Sequence, residues 1–399
     1  MLSKNIKLIY LNNIKINKNN FEKIQIYNDL NKYYDKYMIS YSNYIPDKEK
    51  IINSRFYNKI NTQYNIEETG ICDISENKLI NDKLFIKINN ISHNLSIFKT
   101  DNKYIGFGGV YSESKSQFSQ NQEGIFNINF DNNLNKISKK KLVICKNMSK
   151  KQNYSTAFDS NISFLKYKNK YYLYTRYNEG KGKRKTQIFI SNKFDEDYKY
   201  HNLIKFNKKG IYTYTQNIFI ENGIFIGIFR YYKTKVKNNH NLYKHDIGIL
   251  ISHSFDGINF IINNEKIHDD YNIYDLHVNN YKIENNFNIF YKNNLKNNIF
   301  TKYKIRTGGY INFEQKDINI KSKIKLKIIN KTENILINYN IKENGYIKLY
   351  FYDIDNKLID NQILEGDNVD FKINIKENYE YIEILLSLIH ISEPTRLGM

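Results

Sequence analysis

From His93 onward, apolar and polar residues alternate in short runs separated by tight polar turns. ISHNLSIFKTDNKYIGFGGV reads as strand, DNK turn and strand, and EGIFNINFDNNLNK and KKLVICK supply two outer strands. The order repeats after Asp159 as NISFLKY, KNK, YYLYTRYN, the charged loop GKGKRK, and TQIFISN. It repeats again as YTQNIFIENGIFIGIFRYY with HDIGILISHSFDGINF, and as YDLHVNNYKIENNFNIFYKNN with IFTKYKI. The hairpin starts, near His93, Asp159, Gln216 and Asp275, recur about sixty residues apart. Such a period, with about four strands per unit, predicts a β-propeller.

Four copies and a less legible amino-terminal region predict five blades over residues 1–306. The fifth combines early residues with a closing strand near Ile299 to Ile305. Residues 1–85 contribute to closure, although NNFEKIQIYNDLNKYYDKYM fits a helix as well as irregular strands. Beyond Arg306 the alternation tightens to period two, with turns at KTEN, KENG, DIDNK and EGDN. This predicts a smaller antiparallel β-sandwich over residues 307–386, short of a final strand. SLIHISEPTRLGM breaks the style of everything before it and resembles a translated adapter read-through, so residues 387–399 are set aside as non-native. The fold class expected is therefore all-β, a five-bladed β-propeller followed by a small truncated sandwich.

Composition changes this picture little. Tyr and Ile carry much of the apolar load and both favour strands. The formal net charge of +20 would suit an anionic partner, but the lysines are spread along the whole chain, as expected of an AT-rich coding bias. No nucleic-acid or membrane partner is expected. Cys72 and Cys145 are too few for a disulfide framework and lack zinc spacing, so no metal or cofactor is expected either. The first residues lack a secretory pattern and no run reaches membrane-spanning length, which makes a soluble, cytosolic monomer the default expectation.

In a blade, the innermost strand starts at the face to which the second strand returns. Residues at those two places therefore crowd one central funnel. They are His93 and Asn94, Asp159 with Arg176, Tyr214 with Arg230, and Asp275 with His277; Gln187, one strand further out, completes the ligand-holding set. Arginine is scarce before the tail, only Arg55, Arg176, Arg184, Arg230 and Arg306, and two of these fall at equivalent places in successive blades. Planar guanidinium suits a carboxylate or a sugar diol, whereas lysine would serve for solubility. An ion pair between blades is the competing reading. Asp159 and Asp275 are candidate catalytic carboxylates, with Glu113 a third, although DSN at Asp159 is also good turn sequence. SHSFDGINF has the form S-x-D-G-x-x-aromatic, which makes Asp256 a turn residue rather than a catalyst.

FDSNIS, YYLYTRYN, GKRKTQI, FIGIFRYY, SFDGINF and the junction IRTGGYINF together resemble five-bladed propeller proteins of the glycosyl hydrolase family 32 or 43-like group. NGYIKLYFYDIDNKLID with EGDNVDFKI resembles their carboxy-terminal sandwich. The resemblance implies an axial glycoside site acting on a polysaccharide or glycan, with Asp159 matching a blade-start acid. No Glu stands at a blade start to match the customary general acid, so a non-catalytic carbohydrate-binding propeller and a protein-interaction propeller stay open beside the glycosidase.

Overall fold

In the computed structural model, every regular element among the described residues is a β-strand. Side chains are described chiefly in residues 103–109, 124–131, 135–145, 162–179, 183–233, 248–263, 323–328, 335–341 and 345–386; elsewhere the strands named below are described by their backbone. The protein is all-β.

Three successive antiparallel meanders carry the middle of the chain. The first runs His93–Lys99, Tyr104–Tyr111, Gln122–Phe130 and Lys141–Cys145. The second runs Ser163–Tyr167, Lys170–Gly180, Lys183–Ser191 and Lys199–Leu203. The third runs Tyr212–Glu221, Ile224–Tyr232, Ile247–Ser254 and Asn259–Asn264, with Lys205–Phe206 added in parallel along its last strand.

Two of the hairpins close as their turn residues dictate. Tyr167 pairs with Lys170 across Lys168 and Asn169, whose φ values are 46° and 61°. Glu221 pairs with Ile224 across Asn222 and Gly223, at 46° and 76°. Two consecutive left-handed residues match the twist of flanking strands, which is why Asn-Gly marks a tight hairpin.

Eight further strands form one sheet. Its order is Val278–Glu284, Phe287–Asn294, Ile299–Arg306, Ile9–Ile16, Lys78–Ile80, Tyr64–Ser75, Lys50–Asn61 and Asn43–Ile45. A strand from near the start of the chain thus sits beside Ile299–Arg306, within a single eight-stranded sheet. The stretch read as a possible helix lies outside the described residues.

The second meander is buried on both sides. Leu173 and Phe189 pack with Ile105, Phe107 and Val143 of the first meander. Tyr174 and Ile188 pack with Ile218, Phe225, Phe229 and Phe260 of the third. Alternation along each strand sends successive residues to opposite cores. Each such side chain contributes about 1.5–3 kcal/mol by leaving water.

By compactness the chain divides into two units. One holds residues 10–282 and 289–303; the other holds residues 1–9, 283–288 and 304–399. Within the second, Ser322–Lys327, Tyr381–Leu386, Ile347–Tyr352 and Leu358–Leu364 form one antiparallel sheet, and Asp367–Asn374, Asn334–Asn340 and Glu393–Gly398 form another. Ile337, Ile347, Leu349, Phe351, Ile382 and Ile384 share a core there. Buried Arg306 donates to Asn338 Oδ1, the Tyr339 carbonyl and Asp367. Residues 393–398, set aside on style, pair with Asn334–Asn340. Cys145 is a free thiol.

Candidate functional site

The polar centre of the described structure lies where the second and third meanders meet. Strand Lys170–Gly180 is paired with Lys183–Ser191 so that Arg176 faces Thr186 and Asn178 faces Arg184. Both arginines therefore stand on the same side of that sheet. In the third meander Thr213 pairs with Tyr231 and Thr215 with Arg230, and the register slips between Thr213 and Thr215. Tyr214 is the extra residue of that bulge. A bulge re-aims a side chain out of the ladder's alternation.

The effect is a convergence of three arginines on one phenol ring. The guanidinium carbons of Arg176, Arg184 and Arg230 lie 5.3, 4.7 and 4.9 Å from the centroid of the Tyr214 ring. Arg176 and Arg230 are each only 3% exposed, while Tyr214 and Arg184 are half-buried. A ring quadrupole attracts each cation by about 0.5–2 kcal/mol, more as water is excluded. Three guanidiniums gathered so closely also repel one another, and each has a further interaction besides the Tyr214 ring.

Beneath the ring, hydrogen bonds hold the two sheets in register. The Thr186 hydroxyl is 3.0 Å from that of Thr213 and donates to Gln216 Oε1 at 3.3 Å. Gln216 Nε2 donates to the Tyr174 carbonyl at 3.0 Å, and its own carbonyl accepts from Ser163 at 3.1 Å. The Ser163 oxygen in turn accepts from the Ile218 N–H. The Arg184 N–H donates to the Tyr232 hydroxyl at 3.0 Å. Burial pushes the Tyr232 phenol up to about 12, against the opposing pull of Arg184 and Arg176, so it stays neutral.

The sequence-derived candidates divide accordingly. Arg176, Arg230 and Tyr214 are brought together. Gln187 lies opposite Thr175, on the other face of the sheet from Thr186, and its amide donates to the Arg176 carbonyl at 2.8 Å. It fixes the strand that carries the arginine. Asp159, Asp275, Glu113 and His277 lie outside the described residues; His93 and Asn94 lie in a strand described by its backbone alone.

Arg184 is the residue that sequence reasoning missed. GKGKRK reads as a charged loop, yet the strand Lys183–Ser191 begins within it and Arg184 is that strand's second residue. The scarcity of arginine, which singled out Arg176 and Arg230, would have found it too.

Asp256 sits as expected in a structural turn. Its Oδ1 accepts from the N–H groups of Ile258 and Asn259 and from the Ser254 hydroxyl, and its Oδ2 from the Asn259 amide. Partial burial pushes its pKa upward, but these donors prevail and hold it at about 2.

No protein-family model and no curated protein matches the chain. Among solved structures, it is similar to a glycoside hydrolase family 43 arabinoxylan arabinofuranohydrolase from Bacillus subtilis, at 9% identity, over 92% of this chain and 80% of that one, with a TM-score of 0.37. It is similar to a family 32 β-fructofuranosidase from Bombyx mori at 10% identity, over 90% of each chain, with a TM-score of 0.41. A family 117 glycoside hydrolase from Zobellia galactanivorans is similar at 12% identity, over 56% of this chain and 68% of that one, with a TM-score of 0.41. These are likenesses of overall fold, and no residue role is carried across from them.

Proposed function

We propose that this protein is a five-bladed propeller of the glycoside hydrolase type, acting on a polysaccharide or glycan in an axial pocket. The observation that supports it is the gathering of Arg176, Arg184 and Arg230 around Tyr214, at strand ends of two successive meanders. Guanidiniums and a phenol offer planar donor arrays and an aromatic wall, the chemistry that holds a hydroxyl-rich ligand. In the sequence Asp159 lies shortly before the hairpin strands that carry Arg176, and it is the principal carboxylate in this reading. Asp275, two hairpins on, is its partner, and Glu113 a third acid. One carboxyl group protonates the leaving glycosidic oxygen while the other activates water or attacks the sugar.

The test pairs hydrolysis with binding. Oligosaccharide panels are assayed against the wild type, Asp159→Asn and Tyr214→Ala. Asp159→Asn is expected to lower hydrolysis by at least a hundredfold while binding changes by only a few fold. Tyr214→Ala is expected to weaken binding about tenfold or more. Unchanged hydrolysis in Asp159→Asn would sink the catalytic assignment, and binding without turnover in the wild type would favour a non-catalytic carbohydrate-binding propeller.

A further inference from the structure

The sheet built from Ser322–Lys327, Tyr381–Leu386, Ile347–Tyr352 and Leu358–Leu364 has a second face that the core does not use. Ile347, Leu349 and Phe351 point inward with Ile382 and Ile384, so the alternate residues stand on the opposite side. Pairing sets them in rows across the strands. Lys327, Tyr381 and Tyr352 form one row, and Lys325, Glu383 and Tyr350 the next; Lys323, Leu385 and Lys348 form a third. Three tyrosines thus occupy the two central strands, with lysines beside them.

Charge on this face is one-sided. Among its described side chains, four ammonium groups stand against the single carboxylate of Glu383, which already lies 3.3 Å from Lys323. Lys325 is held in place: its Nζ donates to Asn356 Oδ1 at 2.8 Å and sits 4.4 Å from the Tyr352 ring centroid and 5.2 Å from that of Tyr381. Fixing a lysine beforehand reduces the entropy lost when it meets an anion.

We propose that this face binds an acidic polysaccharide, with Lys325, Lys327 and Lys348 meeting its carboxylate or sulfate groups and the hydroxyls of Tyr350 and Tyr352 donating to them. Two features narrow the occupant. A neutral sugar or an unpaired base would stack on open aromatic faces, but Lys325 already lies over two of these rings. Beside the exposed edge-strand side chains of Leu358 and Ile363, the other three strands turn outward ammonium and O–H donors, complementary to fixed negative charge. The choice of a glycan among polyanions rests on the carbohydrate reading of the other unit; the geometry of the face does not.

The test uses the full chain and polygalacturonate, with its fully methyl-esterified form as the uncharged control and oligothymidylate as the competing polyanion. The acidic polymer is expected to bind at least tenfold more tightly than the ester, and less tightly as salt rises. Lys325→Glu/Lys348→Glu is expected to weaken that binding tenfold or more. Lys199→Glu/Lys205→Glu, an equal change of charge on exposed residues of the other unit, is expected to leave it within about twofold. Equal binding of the ester, tighter binding of oligothymidylate, or equal losses in the two double variants would each overturn the proposal. If Tyr214→Ala removes polygalacturonate binding and the Lys325→Glu/Lys348→Glu variant does not, the polymer is held at the arginine cluster; the face proposal then fails while the pocket reading stands.

Discussion

Gly257 and Gly366 show how the same backbone conformation can tolerate a methyl group in one place and reject it in another. Their φ values are +73° and +75°, but a Cβ on Gly257 would come 2.7 Å from the Tyr174 hydroxyl and 2.9 Å from the Phe225 ring, whereas one on Gly366 meets nothing within 4 Å. Gly366→Ala is expected to cost about 1 kcal/mol and Gly257→Ala roughly 2–4 kcal/mol, read from urea midpoints. Equal losses would show that the close approach to Tyr174 relaxes freely. Asp256 adds a pH dependence. Its folded pKa, about 2, lies below the ordinary carboxylate value of roughly 3.9, so its contribution is complete above that ordinary value and is lost as pH falls through about 2. The stability gap between wild type and Asp256→Asn should therefore be full at pH 6 and narrowed at pH 2.5. A gap that does not change between these pH values would refute the turn's electrostatic role.

At the scale of strands, Thr186 and Thr175 give a matched pair. Thr186 joins two sheets through Thr213 and Gln216, whereas Thr175 Oγ1 is buried without a hydrogen-bond partner. Thr186→Val should cost about 1–2 kcal/mol, and Thr175→Val should be neutral or stabilising by up to about 1 kcal/mol. Thermal melts of the two variants decide it, and a reversed order would contradict the hydrogen-bond assignment. Much of this architecture was legible from local chemistry. KNK and ENG announce their hairpins because left-handed Asn and Gly are read directly from sequence, whereas the division of Leu173 and Tyr174 between two cores emerges only in the fold. The bulge at Tyr214 was not legible. Nothing within YTYTQN distinguishes which residue leaves the ladder; that depends on Thr213 and Gln216 meeting Thr186 in the neighbouring sheet. The convergence of Arg184 was hidden for the same reason, since a strand start and a charged loop share one composition. Gln187 was read as one of the ligand-holding residues, but which face of the sheet it takes follows from its pairing with Thr175.

For the whole molecule, the two compact units each carry their own apolar core, so each has its own source of cooperativity. Leu349, fully buried in the smaller unit, is the natural probe. Leu349→Ala should cost about 2–5 kcal/mol and move one calorimetric transition downward while the other holds its midpoint. A single transition moving as one would show that the units unfold together. The eight-stranded sheet has a further consequence for how the chain is made. A strand ending at Ile16 is flanked by one that begins only at Ile299. During translation the early strand therefore emerges long before its neighbour exists, and must remain soluble with that edge unsatisfied while the three middle meanders fold behind it. Ribosome stalling beyond Ile262 but before Ile299 should accordingly yield nascent chains whose central meanders resist protease while Ile9–Ile16 is still cut.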